Sequence, residues 1–263
     1  MKPIYVKAIG LVAPGLEGWE KGKSVLTGQL DFDPQPLEKY KPSLLPPNER
    51  RRATQLVRLA FRACEDALSE DIDASQLASV FSSSGGDYHI FDQICRTLKT
   101  PERGVSPTQF HNSVHNAAAG YWGIATKAQG ASTSLSGYDA SFAAGLLEAA
   151  MQVEIETSDV LYAVFDVQPP MPLLEKRKID DPFASAFVLS SDKQSAFAEL
   201  QINLVDGGEE ARMSNDQFEG VRLGNPSARG LPLLEAIAKQ QAQTMLFPMP
   251  GRGVSVEVAY SPC

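Results

Sequence analysis

Hydrophobic positions along the chain follow two periods, one typical of β-strands and one typical of amphipathic helices. Short apolar runs bounded by glycine, proline or serine predict strands at residues 4–9, 77–82, 132–135, 160–167, 184–189, 196–204 and 254–260. Longer segments with apolar residues three and four positions apart predict helices at residues 49–68, 87–99, 114–125, 139–153 and 231–245. Because strands and helices alternate, the pattern predicts an α/β fold.

The pattern also indicates where some elements lie. Residues 160–167 form the most hydrophobic strand, so we expect it at the centre of the sheet, buried on both faces. The strands at 184–189 and 196–204 are expected to form a hairpin-like pair. Residues 30–48, with five prolines, and residues 206–230 are predicted to be irregular. The small residues of the helix at 139–153 predict close packing inside the core.

Residues 132–141 are the sharpest local feature, since a predicted strand enters a turn at Gly137 and Tyr138 and a helix follows. This arrangement places Asp139 at the positive end of a helix dipole. Strand–turn–helix elbows present the nucleophile in many hydrolases, but aspartate also caps helices well. Three roles stay open for Asp139: helix capping, which is favoured, catalysis, and a buried ion pair.

The three histidines, His89, His111 and His115, all precede this elbow. A hydrolase with an aspartate nucleophile needs its base histidine later in the chain, so the order argues against such an enzyme. His111 and His115 have the i, i+4 spacing that places two imidazoles on one side of a helix. Asn112 stands where a zincin has its glutamate, and a zinc site needs a third ligand. Neither a metal nor a cofactor is predicted.

The other motifs are weaker signals. Gly85 and Gly86 lack the following lysine of a phosphate loop, so they predict only a turn. Three arginines at residues 50–52 are predicted to lie on a solvated face or, less often, on a docking patch for an acidic partner. None of the cysteines lies in a motif that would activate a thiol; they are Cys64, Cys95 and Cys263.

Composition then narrows the class of protein. The 263 residues are 43% hydrophobic and 21% charged, which is typical of a globular chain. A net charge of −8 argues against a nucleic-acid partner, because phosphate binding needs a basic face. No apolar run is long enough to span a membrane, and the first residues do not resemble a signal peptide. The odd, scattered cysteines favour a reducing, cytoplasmic location.

Several motifs resemble, in the same order, the N-terminal half of β-ketoacyl synthases, which are condensing enzymes of the thiolase fold. The motifs are residues 6–14, the glycine turn 82–87, residues 106–110 and 116–120, residues 130–148 and residues 158–164. The resemblance covers roughly residues 1–205 and leaves 206–263 as a divergent tail. It implies one truncated domain over 1–263, a single αβα half of the ketosynthase fold with a C-terminal helix–strand tail.

Two departures from this family bear on function. The family nucleophile is a cysteine at the turn before the helix, and the resemblance places Asp139 at that position. The family's catalytic histidines and lysine lie in a second half that this chain is expected to lack. Without a thiolate there is no nucleophile for acyl transfer, and without the histidines and lysine no group stabilises the charge that develops in decarboxylation. The resemblance therefore implies a non-catalytic relative, similar to chain-length factors and to short ketosynthase-like proteins of bacterial aryl polyene biosynthesis.

The resemblance also implies partners. A chain-length factor pairs with a full-length ketosynthase, and the segment around Phe110, with Asn112, His115 and Asn116, would reach the partner's acyl tunnel. The strand that pairs across the heterodimer would consist of Thr133, Ser134, Leu135, Ser136 and Gly137. The generally acidic acyl carrier protein is expected to dock through the partner, because this chain is itself acidic. Two alternatives stay open: a stand-alone acyl or ester hydrolase that uses Asp139, and a homodimeric acyl-chain-binding module.

Overall fold

The computed structural model describes residues 1–156 and 158–260. The strands are β1 (Ile4–Ala13), β2 (Leu16–Glu17), β3 (Ala78–Ser82), β4 (Ser132–Leu135), β5 (Val160–Asp166), β6 (Phe183–Ser190), β7 (Ala198–Val205), β8 (Gln243–Met249) and β9 (Arg252–Ala259). The helices are α1 (Trp19–Leu26), α2 (Pro47–Arg52), α3 (Gln55–Asp66), α4 (Tyr88–Leu98), α5 (Pro107–Asn112), α6 (Ala117–Thr126), α7 (Ser141–Glu156), α8 (Asp216–Gly224) and α9 (Leu231–Ala238).

These strands form one mixed sheet in the order β4-β3-β5-β6-β1-β7-β9-β8, and β2 pairs with β1. The pairs β3–β4 and β3–β5 are parallel. The neighbouring pairs that follow in this order, β5–β6, β6–β1, β1–β7, β7–β9 and β9–β8, are antiparallel. One core contains residues of α1, α7 and α9, and a second core contains residues of α3 and α6. Two helical layers thus enclose the sheet, which confirms the predicted αβα half and its helix–strand tail.

The most hydrophobic strand lies where the sequence predicts it. Every residue of β5 is buried, and β5 lies between β3 and β6. Helix α7 packs against β3 and β5 so closely that a Cβ on Gly145 would come within 2.5 Å of the Tyr162 ring and 2.9 Å of the Ser82 Cβ. The small residues of this helix therefore serve the close packing that the sequence predicts.

The predicted hairpin-like pair is wrong, because β1 lies between β6 and β7 and pairs antiparallel with both. The register of the β1–β6 pair shifts between Val6 and Ala8, next to the segment Ile4–Val6 that also pairs with β7. Seven residues, 191–197, connect β6 to β7, which is longer than a tight hairpin turn. Hydrophobic periodicity identifies strands, but it does not specify which strands are neighbours.

Two predicted helices are shorter than the periodicity suggests. The segment 49–68 divides into α2 and α3, because Ala53 is extended and the Thr54 hydroxyl caps α3 by accepting a bond from Val57 N. The helix predicted at 114–125 begins only at Ala117, and residues before it form the separate helix α5. A single capping hydroxyl therefore sets the start of α3, whereas α6 begins after Asn116 without a side-chain capping bond.

The tail differs most from its prediction. Residues 206–230 contain α8, which Asn215 caps by accepting bonds from Gln217 N and Phe218 N. The helix predicted at 231–245 ends at Ala238, and β8 begins at Gln243 and pairs with β9. The predicted terminal strand corresponds to β9. The tail thus extends the sheet beyond β7.

Candidate functional site at the strand–helix elbow

Between β4 and α7 the chain turns sharply at Tyr138, whose φ is 55°, in the left-handed region. Residues Tyr138–Ala140 form one 3₁₀ turn before α7 begins at Ser141. The Ser141 hydroxyl accepts a bond from Gly137 N at 3.0 Å and donates to Tyr138 O at 2.7 Å. A non-glycine residue in this conformation is strained and needs such support. Tyr138 therefore occupies the tip of the elbow.

Asp139 does not cap the helix, in contrast to the favoured prediction. No side-chain capping bond is found at this turn, and the Ser141 hydroxyl makes the local bonds instead. The Asp139 carboxylate, about half exposed, pairs with Arg177 at 2.5 Å. The structure therefore gives Asp139 the ion pair, although at the surface rather than in a buried position.

Arg177 covers the elbow. Its guanidinium carbon lies 3.7 Å from the centre of the Tyr138 ring, and its side chain is only 11% exposed. Burial acts to lower the pKa of Arg177, but the hydrogen bond and charge of Asp139 outweigh it, so the pKa is raised. Among the described residues, the Nε and Nη2 groups of Arg177 have no hydrogen-bond partner. A fixed cation therefore lies on the elbow tip.

A buried carboxylate lies behind the elbow at the end of β5. Asp166 accepts bonds from Ser84 N at 3.0 Å, from the Ser84 hydroxyl at 2.8 Å and from the Ser227 hydroxyl at 2.6 Å. Burial raises its pKa to about 6, and these bonds together with the Arg177 charge counter part of the rise. The Ser136 hydroxyl also donates to Ser84 O. The network joins the elbow, the turn after β3 and the tail.

A cavity of about 330 Å³ lies between the elbow and the β8–β9 hairpin. Its walls are largely apolar, with Asp139, Glu210 and Arg229 as charged members. The apolar lining includes Ala140, Phe142, Ala143, Phe247, Pro248 and Met249. The space can accommodate an apolar group next to the elbow.

The residues expected to reach a partner's acyl tunnel differ in exposure. Phe110 is 69% exposed on α5, and Asn116 is exposed at the start of α6. Asn112 is buried, where its amide donates to Arg52 O at 2.9 Å and its oxygen accepts from Tyr121 at 3.0 Å. Of these residues, Phe110 and Asn116 present surface that a partner can contact, whereas Asn112 fixes α5 to its neighbours.

His111 and His115 do not share a helix face, because α5 ends at Asn112. The His111 ring packs edge-on against Tyr121, whereas His115 Nε2 lies 3.3 Å from the Ser83 hydroxyl. Within residues 1–156 and 158–260, no group of three histidine, cysteine or acidic side chains could hold a metal ion. The helical spacing therefore does not produce a paired site.

The cysteines lie away from the elbow sequence. Cys64 is buried in α3, where burial raises the pKa of its thiol, so it remains protonated. Cys95 is partly buried on α4, and Cys263 lies outside the described residues. Segment 132–141 contains no cysteine. The elbow therefore carries a tyrosine and an ion-paired aspartate, and it carries no thiol.

The strand before the elbow is an edge of the sheet. Within the described chain, β4 pairs only with β3, where Ser79 N donates to Ala131 O and Ser83 N donates to Leu135 O. The alternation of a strand therefore turns the main-chain groups of Ser132 and Ser134 away from β3. These groups form an open hydrogen-bonding edge.

Exposed apolar side chains flank this open edge on both faces of the sheet. On one face of the sheet, helix α6 exposes Ile124. Gly120 and Gly123, on the same side of this helix, line a groove together with residues of β4. On the other face, α7 exposes Met151 and Ile155. These two share a helix side with Glu148 and Gln152, which both hydrogen-bond Thr133 of β4. Apolar surface of this kind marks contact sites for other proteins.

Sequence reasoning missed Arg177, Asp166 and Ser227. Of these three, only Asp166 has a signal in the sequence, because it is an acidic residue at the end of an otherwise apolar strand. Arg177 lies between two predicted strands in a segment without periodicity, and Ser227 lies in the tail. Their proximity to the elbow depends on the fold rather than on local pattern.

The sequence profile of the family described as β-ketoacyl synthase, N-terminal domain, matches residues 23–249. This match spans most of the chain and includes the elbow. The chain therefore belongs to the β-ketoacyl synthase N-terminal domain family. No curated protein sequence matches it.

Solved structures share the fold over nearly the whole chain. A chain of the ketosynthase ApeO–chain length factor ApeC complex from Xenorhabdus doucetiae has a TM-score of 0.73 at 23% identity, covering 98% of this chain and 100% of that one. The ishigamide ketosynthase/chain length factor gives 0.69 at 12% identity, covering 98% and 99%. The AntDE:AntF complex, a type II polyketide acyl-carrier protein with its ketosynthase, gives 0.73 at 13% identity, covering 99% of each. These likenesses establish a common thiolase-like fold.

Within the part of the chain that the structure describes, no helix combines the length and apolar character needed to cross a bilayer.

Proposed function

We propose that the chain is a non-catalytic, chain-length-factor-like subunit that pairs with a full-length β-ketoacyl synthase in type II polyketide biosynthesis, of the aryl polyene kind. The observation that carries the proposal is the open strand β4, which leads directly into an elbow that has no thiol. The heterodimer as a whole would be the β-ketoacyl synthase, and this subunit would work in the cytoplasm.

The edge of β4 supports the pairing. An exposed strand edge with free main-chain groups adds readily to the strand of another chain. Ile124, Met151 and Ile155 would be covered by the same partner, which stabilises association by roughly 25 cal/mol per Å² of apolar surface buried. Obligate partners of this kind bury on the order of 2,000 Å² or more.

The elbow supports the non-catalytic role. Acyl transfer needs an activated nucleophile, and here Arg177 covers Tyr138 and pairs with Asp139. The histidines make their observed contacts elsewhere: His89 with Gln168 O and His115 with Ser83. The elbow would therefore serve to position β4 and α7 at the interface, while the thiol of the partner carries the acyl chain.

The experiment is a condensation assay with purified proteins. The chain alone is expected to be inactive, and the complex with its cognate ketosynthase is expected to be active. Asp139→Asn in the complex should leave turnover and assembly unchanged. Loss of turnover with intact assembly would contradict the proposal and favour Asp139 as a hydrolytic or acyl-transfer residue.

The 330 Å³ cavity beside the elbow favours a second candidate, a homodimeric module that binds an acyl chain. The largely apolar lining fits such a ligand. A homodimer in native mass spectrometry, with a fatty acid bound and no affinity for any ketosynthase, would support this second function over the first.

A further inference from the structure

The tail returns to the core behind the elbow, although its strands β8 and β9 lie at the side of the sheet opposite β4. Four of the five residues in its 3₁₀ turn Pro226–Gly230 are buried. A Cβ on Gly230 would come within 2.1 Å of the Phe142 ring, so only glycine allows the main chain to lie this close to the first turn of α7. The tail is therefore packed directly against the helix that follows the elbow.

A continuous path of hydrogen bonds runs from this turn of the tail to the open edge of the sheet. The Ser227 hydroxyl donates to Asp166, and Asp166 also accepts the N–H and the hydroxyl of Ser84. The main-chain oxygen of Ser84 accepts the Ser136 hydroxyl at 2.9 Å. We call these four residues the tail–edge path. Ser227 is fully buried, whereas Ser136 is exposed directly after β4, in the segment expected to pair with the ketosynthase.

Asp166 can serve both ends of the tail–edge path because a carboxylate has two acceptor oxygens. Its Oδ1 accepts both bonds from Ser84 at 3.0 Å and 2.8 Å, and its Oδ2 accepts the Ser227 hydroxyl at 2.6 Å. An asparagine at this position would have a single acceptor oxygen. The charge of Arg177 acts to lower the pKa of Asp166, which favours the ionised form that accepts hydrogen bonds without donating one.

Keeping this carboxylate inside the protein costs free energy. Burial raises the pKa of Asp166 to about 6, so folding penalises the ionised form. An apolar residue at the end of β5 would avoid this penalty. A polar network whose members are all hydrogen-bonded fixes the groups that it joins in one arrangement. A group that costs stability and joins three elements is suited to positioning rather than to stabilisation.

The end of β4 depends on the turn that carries Ser84. Within residues 1–156 and 158–260, β3 is the one strand that pairs with β4. Ser83 N donates to Leu135 O at 3.3 Å, a long bond at the end of this pair. The next contact is the bond from Ser136 to Ser84 O. Rotation of the Ser84 peptide away from Asp166 would therefore release the last residues before the elbow.

We infer that Ser227 and Asp166 are positioning residues for the subunit contact, and that they hold Ser136 and the end of β4 in the geometry that pairs with the ketosynthase. The inference rests on the proposed function. It gives the tail a role at a surface that the strands of the tail do not form.

The first test measures the affinity for the purified cognate ketosynthase by surface plasmon resonance, with each variant confirmed as folded by circular dichroism. Ser227→Ala removes the first donor of the tail–edge path. Ser190→Ala is the matched control, since Ser190 is equally buried and its hydroxyl accepts from Asp192 N at 3.0 Å at the other end of the sheet. We expect Ser227→Ala to raise the Kd at least fivefold and the control to change it less than twofold.

A double-mutant cycle tests whether the effect travels along the path. Ser136→Ala breaks the exposed end of the tail–edge path, and Ser227→Ala breaks the buried end. Because both variants interrupt one path, we expect the double variant to raise the Kd by less than the product of the two single fold-changes. Independent local effects would instead multiply.

Amide hydrogen exchange in the chain alone separates positioning from stability and needs no partner. Strand alternation turns the Leu135 N–H toward β3, so this amide reports the end of β4. The Tyr162 amide, in the central strand β5, reports global unfolding. We expect Ser227→Ala to accelerate exchange at Leu135 at least fivefold more than at Tyr162, and Ser190→Ala to leave this ratio unchanged.

The inference is overturned if Ser227→Ala binds as tightly as the control, if the fold-changes in the cycle multiply, or if exchange at the two amides accelerates equally. Should Ser227→Ala not fold, Asp166→Asn makes the same test, because it keeps the shape of the side chain and removes one acceptor oxygen. Failure of the wild-type chain to bind any ketosynthase would overturn the proposed function, and the exchange experiment would still decide whether the tail positions β4.

Discussion

The guanidinium carbon of Arg177 lies 3.7 Å from the centre of the Tyr138 ring, directly over the tip of the strand–helix elbow. The stacking and the 2.5 Å ion pair with Asp139 hold the 168–182 segment against a turn that is already in the left-handed region. The tip of the elbow is thus occupied by a structural contact.

Replacing Arg177 should therefore affect stability. Arg177→Ala removes the stacking and the ion pair, so we expect the free energy of unfolding to fall by about 1–2 kcal/mol. Tyr138→Phe is the matched control, since it retains the aromatic ring and should change stability little. Urea denaturation measures both. Equal stability of Arg177→Ala and the wild type would show that the contact contributes nothing.

Asp166 should make stability depend on pH in a specific direction. Its pKa is about 6 in the folded chain against an ordinary 3.8, so folding penalises the ionised form. The contribution of Asp166 to the free energy of unfolding is greatest below about pH 3.8 and falls as pH rises through 6. At 1.36 kcal/mol for each unit of pKa, the change is on the order of 3 kcal/mol.

Asp166→Asn isolates this effect, because the amide cannot ionise. Relative to the variant, the wild type should gain stability as pH falls from 7 to 4, measured by denaturation at several pH values. The raised pKa of Asp166 would be contradicted if the difference in free energy of unfolding between wild type and variant stayed constant across this range or changed in the opposite direction.

Phe110 tests the proposed role in chain length. Phe110→Ala in the heterodimer should shift the distribution of product lengths without stopping synthesis, because the side chain would border the partner's tunnel. Phe197→Ala, which truncates a partly exposed phenylalanine just before β7, serves as the control. Mass spectrometry of the products would reveal the shift, and identical distributions for the wild type and Phe110→Ala would refute the tunnel role while leaving the pairing untouched.

The open edge of β4 can be blocked by one residue. Ser134 directs its main-chain N–H away from β3, so Ser134→Pro removes a donor from the outer edge while sparing the β3 ladder. We expect at least tenfold weaker association with the ketosynthase. Ser134→Ala, which keeps the N–H, should associate normally. Analytical ultracentrifugation compares the two, and normal assembly of the proline variant would exclude strand pairing at this edge.

The sequence predicts the fold well wherever local pattern determines structure. The strand at β5, the small-residue packing of α7 and the turn at Tyr138 all follow from hydrophobic runs and glycine placement. The position of β1 between β6 and β7 could not be predicted in this way, because strand pairing depends on contacts distant in the sequence. The division at Thr54 depends on a single capping hydroxyl, which a helical period does not register.

The site was predicted only in part. The elbow was located from the sequence, but the ion pair of Asp139 required Arg177, which lies 38 residues further along the chain. Asp166 becomes part of the site only because the tail returns Ser227 to the end of β5. The open edge of β4 likewise depends on the order of the strands, although the resemblance had assigned the same strand to pairing.

In the proposed function this chain is a dependent partner of a full-length ketosynthase. Native mass spectrometry of the chain co-expressed with candidate ketosynthases tests it most directly. We expect a complex with one copy of each subunit, formed with the cognate enzyme. A chain that remains a monomer or a homodimer in the presence of every candidate would contradict it.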